Sequence, residues 1–214
     1  AEAIGFSDGL RLVRQRGRFM QEACDATRGA MAAIIGMDEA PARDICAQAG
    51  VVLANLNCPG QLVISGEAEK IARAIELAKS NGAKRAILLP VTGAYHSPLM
   101  AVAQTRLERE LAGVTISAPR VPVISNVTAQ PHDPDAAAIR SNLVQQVTSS
   151  VRWEESMRYL LGQGFRRFIE LGPGSALSGF MKRIDRSAQV LNISDVASLE
   201  ATIQTLTAAA PKVA

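Results

Sequence analysis

Apolar positions recur along the chain with two different periods, and the alternation of these periods predicts an α/β fold. Apolar residues spaced three or four positions apart predict helices over about 7–24, 38–49, 67–81, 98–112, 135–147, 153–163, 175–184 and 195–206. Short apolar runs bounded by turn residues predict strands over 30–36, 51–57, 61–66, 85–90, 121–126, 167–171 and 189–193. Strands that alternate with helices predict a mostly parallel sheet covered on both faces.

Residues 27–92 form a self-contained pattern within this alternation. Their predicted elements follow the order βαββαβ, which is that of a small ferredoxin-like unit. This order predicts a compact α+β subdomain but indicates nothing about function.

The first predicted helix has Ser7 as its N-cap and carries arginines on two different faces. Arg16 lies on the apolar stripe with Leu12, Val13, Phe19 and Met20, whereas Arg11, Arg14 and Arg18 lie on the opposite face. A guanidinium on an apolar stripe keeps its charge and needs an anionic partner. That partner is either an Asp or Glu of this chain or the carboxylate of a substrate.

Composition excludes some classes of function and leaves others open. The chain is 48% hydrophobic and 20% charged, with a net charge of +3 that does not indicate nucleic acid or membrane as a partner. The basic pairs, of which Lys84-Arg85 is one, are typical of solvated faces and could also form a patch for an acidic partner. Three cysteines without metal-ligand spacing indicate reduced thiols in a cytoplasmic protein.

One of the two histidines occupies a position suited to proton transfer. His96 follows a predicted strand and precedes a helix, so its imidazole could reach a cleft and exchange protons near neutral pH; a structural, hydrogen-bonded histidine is the alternative. His132 stands in a Pro-His-Asp-Pro sequence that predicts a surface loop. The 172–174 turn lacks the glycine spacing and lysine of a phosphate loop, so we interpret it as a strand–helix turn.

Four stretches together resemble the malonyl-CoA:acyl carrier protein transacylase family of bacterial fatty-acid synthesis. They are RLVRQRGRFMQ (11–21), NLNCPGQLVISG (55–66), GAYHSPLM (93–100) and ELGPG (170–174). Their order and spacing fit the family over the whole chain. The resemblance implies an α/β acyltransferase core from residues 1–26 and 93–214, incomplete at its N-terminus, with residues 27–92 as an inserted ferredoxin-like subdomain.

The resemblance also implies roles for individual residues. His96 matches the catalytic histidine, which serves as base for a serine nucleophile, and Arg16 matches the arginine that pairs with the malonyl carboxylate. Gln146 falls where a backbone carbonyl orients the histidine, although Gln145 is adjacent. Met20 would form part of the pocket wall.

The family's reaction implies substrates and partners but no bound cofactor. Malonyl-CoA is the donor, and the phosphopantetheine thiol of acyl carrier protein is the acceptor in a ping-pong acyl transfer. Lys84 and Arg85 are candidate contacts for the carrier protein. Tyr95, before His96, is similar to the bulky neighbour found in malonyl-selective domains.

The chain departs from the family at the nucleophile. The family's Gly-His-Ser-Leu-Gly elbow is not found, so we expect the serine to be absent from this chain, together with the N-terminal Gln-Gly stretch of the oxyanion hole. Two interpretations stay open. The chain is a transacylase that acts with its missing N-terminal segment, which could lie in another chain, or it is a non-catalytic acyltransferase remnant that binds carrier protein.

Overall fold

The computed structural model describes residues 1–208, which form two compact units, one of residues 1–156 and one that begins at Met157. The helices are α1 (Phe6–Ala26), α2 (Glu39–Ala49), α3 (Ala68–Ser80), α4 (Ala101–Ala112), α5 (Ala136–Gln145), α6 (Trp153–Gly162), α7 (Ala176–Ile184) and α8 (Val196–Ala208). The strands are β1 (Gly29–Ile35), β2 (Val52–Cys58), β3 (Gln61–Glu67), β4 (Arg85–Leu88), β5 (Arg167–Leu171) and β6 (Gln189–Ile193). Most predicted elements therefore form within one to three residues of their predicted bounds.

Strands β1 to β4 form one antiparallel sheet in the spatial order β2-β3-β1-β4. The turn at Pro59 and Gly60 joins β2 to β3, and Gly60 has a φ of +67°, a conformation that glycine adopts at no steric cost. Helices α2 and α3 bury Ile45 and Ile71 against the strand residues Ile34 and Ile64. Strands β2 and β4 are left at the two edges of the sheet.

Helices α1, α4 and α5 form a second core in the same unit. Leu12, Phe19 and Met20 of α1 pack with Leu107 of α4 and Val144 of α5. Burying each of these side chains stabilises the fold by about 1.5–3 kcal/mol. This core fixes the helix that carries Arg16.

Two features of α1 differ from the predictions. The helix begins at Phe6 with Gly5 as its N-cap, so Ser7 lies inside the first turn and its side chain makes no cap hydrogen bond. Val13 was predicted on the buried stripe, but its side chain is 69% exposed. The apolar stripe is therefore narrower than the sequence periodicity indicates.

The predicted strand over residues 121–126 is wrong. Ile124 forms a single bridge with Pro131, and the chain turns back on itself because the Ser125 carbonyl accepts from Ala129 N–H. Pro122 has no N–H to donate to a ladder, which disfavours a longer strand at this position.

Strands β5 and β6 pair in parallel and carry α7 and α8 in the second unit. Within residues 1–208, parallel pairing is limited to this pair and to one bridge between Asn55 and Val151. The parallel sheet is thus smaller than the alternation of elements predicts.

Cys24, Cys46 and Cys58 are all buried, and no disulfide joins any two of them. Among residues 1–208, no helix combines the length and the apolar character needed to cross a bilayer.

Candidate active site

The turn that carries His96 is held from several directions. A Cβ at Gly93 would collide with the Cys24 sulfur, so only glycine fits beside α1 at this point. The neighbouring Cys24 thiol, together with burial, raises the pKa of the Tyr95 phenol. The buried Ser97 hydroxyl donates to the Ala94 carbonyl at 2.6 Å and accepts from the Leu99 N–H at 3.3 Å. Ser97 is therefore a capping residue of the turn.

His96 itself has a left-handed backbone, with a φ of +57°. A non-glycine residue in this region is uncommon and mildly strained. The conformation brings the imidazole against the end of α5. There, Nδ1 lies 3.0 Å from the Gln146 carbonyl oxygen and 3.0 Å from the Ser149 carbonyl oxygen.

These two contacts determine which ring nitrogen carries the proton. Carbonyl oxygens only accept hydrogen bonds, so Nδ1 must be the protonated nitrogen in the neutral ring. Nε2 then holds a lone pair, and no residue among 1–208 hydrogen-bonds to it. His96 is therefore arranged to accept a proton at Nε2.

The end of α5 supplies the first carbonyl because a helix leaves its last carbonyls without intrahelical partners. The helix ends at Gln145, and Gln146 is its C-cap. The carbonyl that contacts His96 is that of Gln146, whereas the Gln145 carbonyl accepts from the N–H groups of Thr148 and Ser149. The geometry thus distinguishes two residues that the sequence left as neighbouring alternatives.

The surroundings lower the pKa of His96 below its ordinary value of 6.5. Burial is the largest cause because it disfavours the imidazolium, and the positive charge of Arg16 acts in the same direction; the two carbonyl contacts oppose both effects. The imidazole is therefore neutral at pH 7, as a general base must be.

Arg16 projects from α1 into the same region and is half-buried. Burial lowers the pKa of its guanidinium from the ordinary value. Within residues 1–208 no carboxylate pairs with it, so the internal ion pair considered from the sequence is not found. Arg11, Arg14 and Arg18 are exposed, as predicted.

A cavity of about 300 Å³ lies between Arg16 and Gln146. Its remaining walls are formed by Ile4, Gly9, Leu12, Val13, Leu107, Leu111 and Leu143. An apolar cavity with one guanidinium on its wall suits a small anionic ligand, since charge-assisted hydrogen bonds strengthen where water is excluded.

Other candidate residues lie outside this cavity. Met20 is buried in the helical core and is not among the residues that line the cavity. Lys84 and Arg85 are exposed at the start of β4, and the aliphatic stem of Lys84 covers Gly36. His132 was predicted on a surface loop, but it is half-buried and its Nδ1 contacts the Asn142 side chain at 3.3 Å.

At the 172–174 turn, several backbone donors are already bonded within the chain, and Gly172 N–H donates to the Ile193 carbonyl. The Glu170 carboxylate accepts from the Leu177 and Ser178 N–H groups, two of the N-terminal donors of α7, and from the Ser178 hydroxyl. The strand–helix turn predicted from the sequence fits this arrangement better than a phosphate loop does.

Sequence reasoning missed two features of this region. The Ser149 carbonyl is a backbone acceptor, and no side-chain pattern could have pointed to it. Residues 5–9 have the spacing Gly-x-Ser-x-Gly, contrary to the expectation that the chain has no elbow-like motif. Ser7, however, sits in the first turn of α1 with no strand before it and without a positive φ, so these residues do not form a nucleophile elbow.

Comparison with known proteins identifies the family of this chain. The family described as acyl transferase domain matches residues 1–209. The chain is 46% identical over 211 residues to the malonyl CoA-acyl carrier protein transacylase of Bacillus subtilis, covering 96% of this chain and 66% of that protein.

Solved structures of similar proteins superpose closely. The malonyl CoA-acyl carrier protein transacylase of Coxiella burnetii has a TM-score of 0.92 at 42% identity, with 96% of this chain and 66% of that chain covered. A malonyl-transacylase in complex with a type II polyketide acyl-carrier protein has a TM-score of 0.92 at 38% identity, over 96% of this chain and 67% of that chain.

The chain thus spans about two thirds of the length of these relatives. The match to the domain family covers residues 1–209, and the Coxiella burnetii structure is similar to this chain in fold as well as in sequence. The chain belongs to the acyl transferase domain family.

Proposed function

We propose that this domain transfers a malonyl group from malonyl-CoA to the phosphopantetheine thiol of acyl carrier protein. The observation that carries the proposal is the half-buried Arg16 beside His96: within residues 1–208 no carboxylate pairs with Arg16, and the Nε2 of His96 holds a lone pair that can accept a proton. One cation and one base suit a substrate that has both a carboxylate and a thioester. An acetyl group lacks the carboxylate and would bind poorly.

The chemistry proposed is a two-step serine ester mechanism. His96 Nε2 takes the proton of a serine hydroxyl, the serine oxygen attacks the thioester carbonyl, and coenzyme A leaves with the proton from His96. In the second step the phosphopantetheine thiol gives its proton to His96 and attacks the malonyl ester. The serine regains a proton as the malonyl thioester is released, and no bound cofactor is needed.

The serine is proposed to come from polypeptide outside residues 1–214. Ser97 is committed to the turn, and Ser7 lies in a helical turn rather than an elbow. The B. subtilis relative extends well beyond the matched part, so a segment of the same chain or of another chain could supply the elbow.

Supporting residues have proposed roles around this chemistry. The Gln146 carbonyl would orient His96, as its 3.0 Å contact supports. Met20, in the core of α1, α4 and α5, would support the pocket wall. Exposed Lys84 and Arg85 would contact acidic groups of the carrier protein, and one of the structural neighbours is a complex with an acyl-carrier protein. Three buried thiols suit a cytoplasmic location.

We also propose the domain organisation. Residues 27–92 would form a ferredoxin-like subdomain inserted in an acyltransferase core of residues 1–26 and 93–214, of which 209–214 lie outside the described part. The antiparallel order β2-β3-β1-β4 and a core cluster drawn from residues 30–78 support this division. A non-catalytic carrier-binding module is not favoured, because the relatives are named as transacylases.

Malonyl transfer can be measured with a longer protein that includes a nucleophile elbow on the N-terminal side of residue 1. After incubation with malonyl-CoA, intact mass should show a malonyl ester on a serine, which holo acyl carrier protein then removes. His96→Gln should abolish both steps. Arg16→Gln should reduce the preference for malonyl over acetyl by about 100-fold, as expected for the loss of a charge-assisted pair.

The 214-residue chain is the matched control for the position of the nucleophile. It should form no malonyl ester under the same conditions. An ester on Ser7 or on another serine of these residues would overturn the assignment, and unchanged acyl selectivity in Arg16→Gln would contradict the role of Arg16.

A further inference from the structure

The outer edge of β2 is occupied by residues that follow α5. Val151 N–H donates to the Ala54 carbonyl at 2.8 Å, and Leu56 N–H donates to the Val151 carbonyl at 2.9 Å. Just before them, the Ser150 hydroxyl donates to the Leu53 carbonyl at 2.5 Å. An edge strand exposes such backbone groups, and here they fix a segment distant in sequence.

These bonds coincide with an irregularity in β2. The pairing of β2 with β3 shifts register between Leu53 and Asn55, so the backbone of Ala54 departs from a regular ladder. Bulges of this kind change the direction in which backbone groups point. At this position the carbonyls of Leu53 and Ala54 point outward to Ser150 and Val151.

The segment that β2 holds is the one that contacts His96. Ser149 directly precedes Ser150, and its carbonyl is one of the two acceptors for His96 Nδ1. The other acceptor, Gln146, is fixed by α5, since its N–H donates to the Asn142 carbonyl at 3.0 Å. One acceptor therefore depends on α5 and the other on the edge of β2.

We propose that the edge of β2 positions His96, and that Ser150 is the positioning residue, because its bond to the Leu53 carbonyl fixes the Ser149 carbonyl against Nδ1. A single acceptor leaves the imidazole free to rotate about its hydrogen bond. Two acceptors define the plane of the ring, keep the proton on Nδ1 and leave Nε2 directed away from α5. The inference rests on the proposed function for the use of His96 as a base.

The tautomer of His96 can be measured directly, because the chain has only two histidines. In ¹⁵N spectra of the 214-residue protein, His96 should show protonated Nδ1 and unprotonated Nε2 at pH 8. In Ser150→Ala both nitrogens should shift toward averaged values as the second tautomer appears. The pKa of His96 should fall further, since the Ser149 contact favours the charged ring. His132 serves as the internal reference and should not change.

Two further variants separate positioning from general loss of structure. Ser150→Thr keeps the hydroxyl and should restore the wild-type spectrum of His96. Ser80→Ala is the control, because the Ser80 hydroxyl also donates to a carbonyl within residues 27–92, that of Leu77, at 3.0 Å. This variant should leave His96 unchanged. An unaltered His96 spectrum in Ser150→Ala would overturn the proposal whether or not amide exchange at Val151 becomes faster, as would equal shifts of both histidines.

The outcome is independent of whether malonyl transfer is found. If transfer fails while the His96 tautomer depends on Ser150, the proposed function falls and the positioning stands. If transfer is found, Ser150→Ala should lower kcat about 10-fold, because a misplaced His96 loses part of the rate enhancement of a general base. The KM for malonyl-CoA should stay unchanged because Arg16 is not affected.

Discussion

At the scale of single residues, Arg16 and His96 influence each other through charge. Arg16 helps to lower the pKa of His96. Replacing it by Gln removes the positive charge, so the pKa of His96 should rise toward 6.5, which ¹⁵N or ¹³C titration of the histidine can measure. Arg14→Gln, on the exposed face of the same helix, should leave the pKa unchanged. Equal pKa values in the two variants would contradict the placement of Arg16.

Ser65 offers a test of an isolated polar group. Its side chain is fully buried in β3, and its hydroxyl finds no partner within residues 1–208. A buried hydroxyl without a hydrogen bond costs about 1–3 kcal/mol, so Ser65→Ala should leave the free energy of unfolding unchanged or raise it by about 1 kcal/mol. Denaturant titration measures this free energy.

The matched control for Ser65 is Ser156, which is also buried but donates to the Arg152 carbonyl at 2.8 Å. Ser156→Ala should lower the free energy of unfolding by about 1 kcal/mol because it leaves that bond unmade. A loss of stability in Ser65→Ala of the same size would show that the Ser65 hydroxyl has a partner.

Among the site residues, side chains could be predicted from the sequence and backbone acceptors could not. Arg16 is detectable because a charged residue interrupts an apolar stripe, and His96 because it stands alone at a strand–helix turn. The Ser149 carbonyl depends on where α5 ends and on what β2 holds. That dependence is tertiary, and every residue has a carbonyl, so composition contains no signal for it.

At the scale of elements, α7 depends on a carboxylate from the preceding strand. Hydrogen bonds lower the pKa of Glu170 below its ordinary value of 4.5. The largest contribution comes from the Ser178 hydroxyl, and smaller ones come from the Ser178 and Leu177 N–H groups. Because its pKa is lowered, ionised Glu170 contributes to the free energy of unfolding. That contribution is present above pH 4.5 and is lost as the pH falls through the folded-state pKa.

Glu170→Gln should therefore loosen the start of α7 at pH 7. Because the Glu170 side chain is only partly buried, the effect should be about 0.5–1 kcal/mol, seen as about 2–5-fold faster amide exchange at Ser178. Glu200→Gln, on the exposed surface of α8, should not change that rate. No acceleration in Glu170→Gln would mean that the cap is not formed in solution.

Elements with a clear period could be predicted, and those decided by local hydrogen bonding could not. Helix α3 places Ile71, Ala74 and Ala78 on one buried face, as its spacing indicates. The 121–126 segment is apolar enough for a strand, but Pro122 and the turn at Ser125 prevent a ladder. Ser7 is a favourable cap by residue type, yet the N-cap of the helix is Gly5, two residues earlier.

At the scale of the whole molecule, residues 1–156 contain two large hydrophobic cores, and each supports an element that holds one acceptor of His96. Ile71 is completely buried in the core of β1 to β4, and Met100 is completely buried in the core of α1, α4 and α5. Truncating either side chain to Ala leaves a cavity and costs about 2–5 kcal/mol. Ile71→Ala should weaken the β2 edge that holds the Ser149 acceptor, and Met100→Ala should weaken the packing of α5, which holds the Gln146 acceptor.

Amide exchange at Val151 and Gln146 can distinguish the effects of these two variants. Ile71→Ala should accelerate exchange at Val151, whose N–H donates to β2, and spare Gln146, whose N–H donates within α5. Met100→Ala should have the opposite pattern. Equal acceleration of both amides in each variant would mean that the cores open as one unit. The acceptors of His96 would then share a single support, and the distinct role of the β2 edge would be lost.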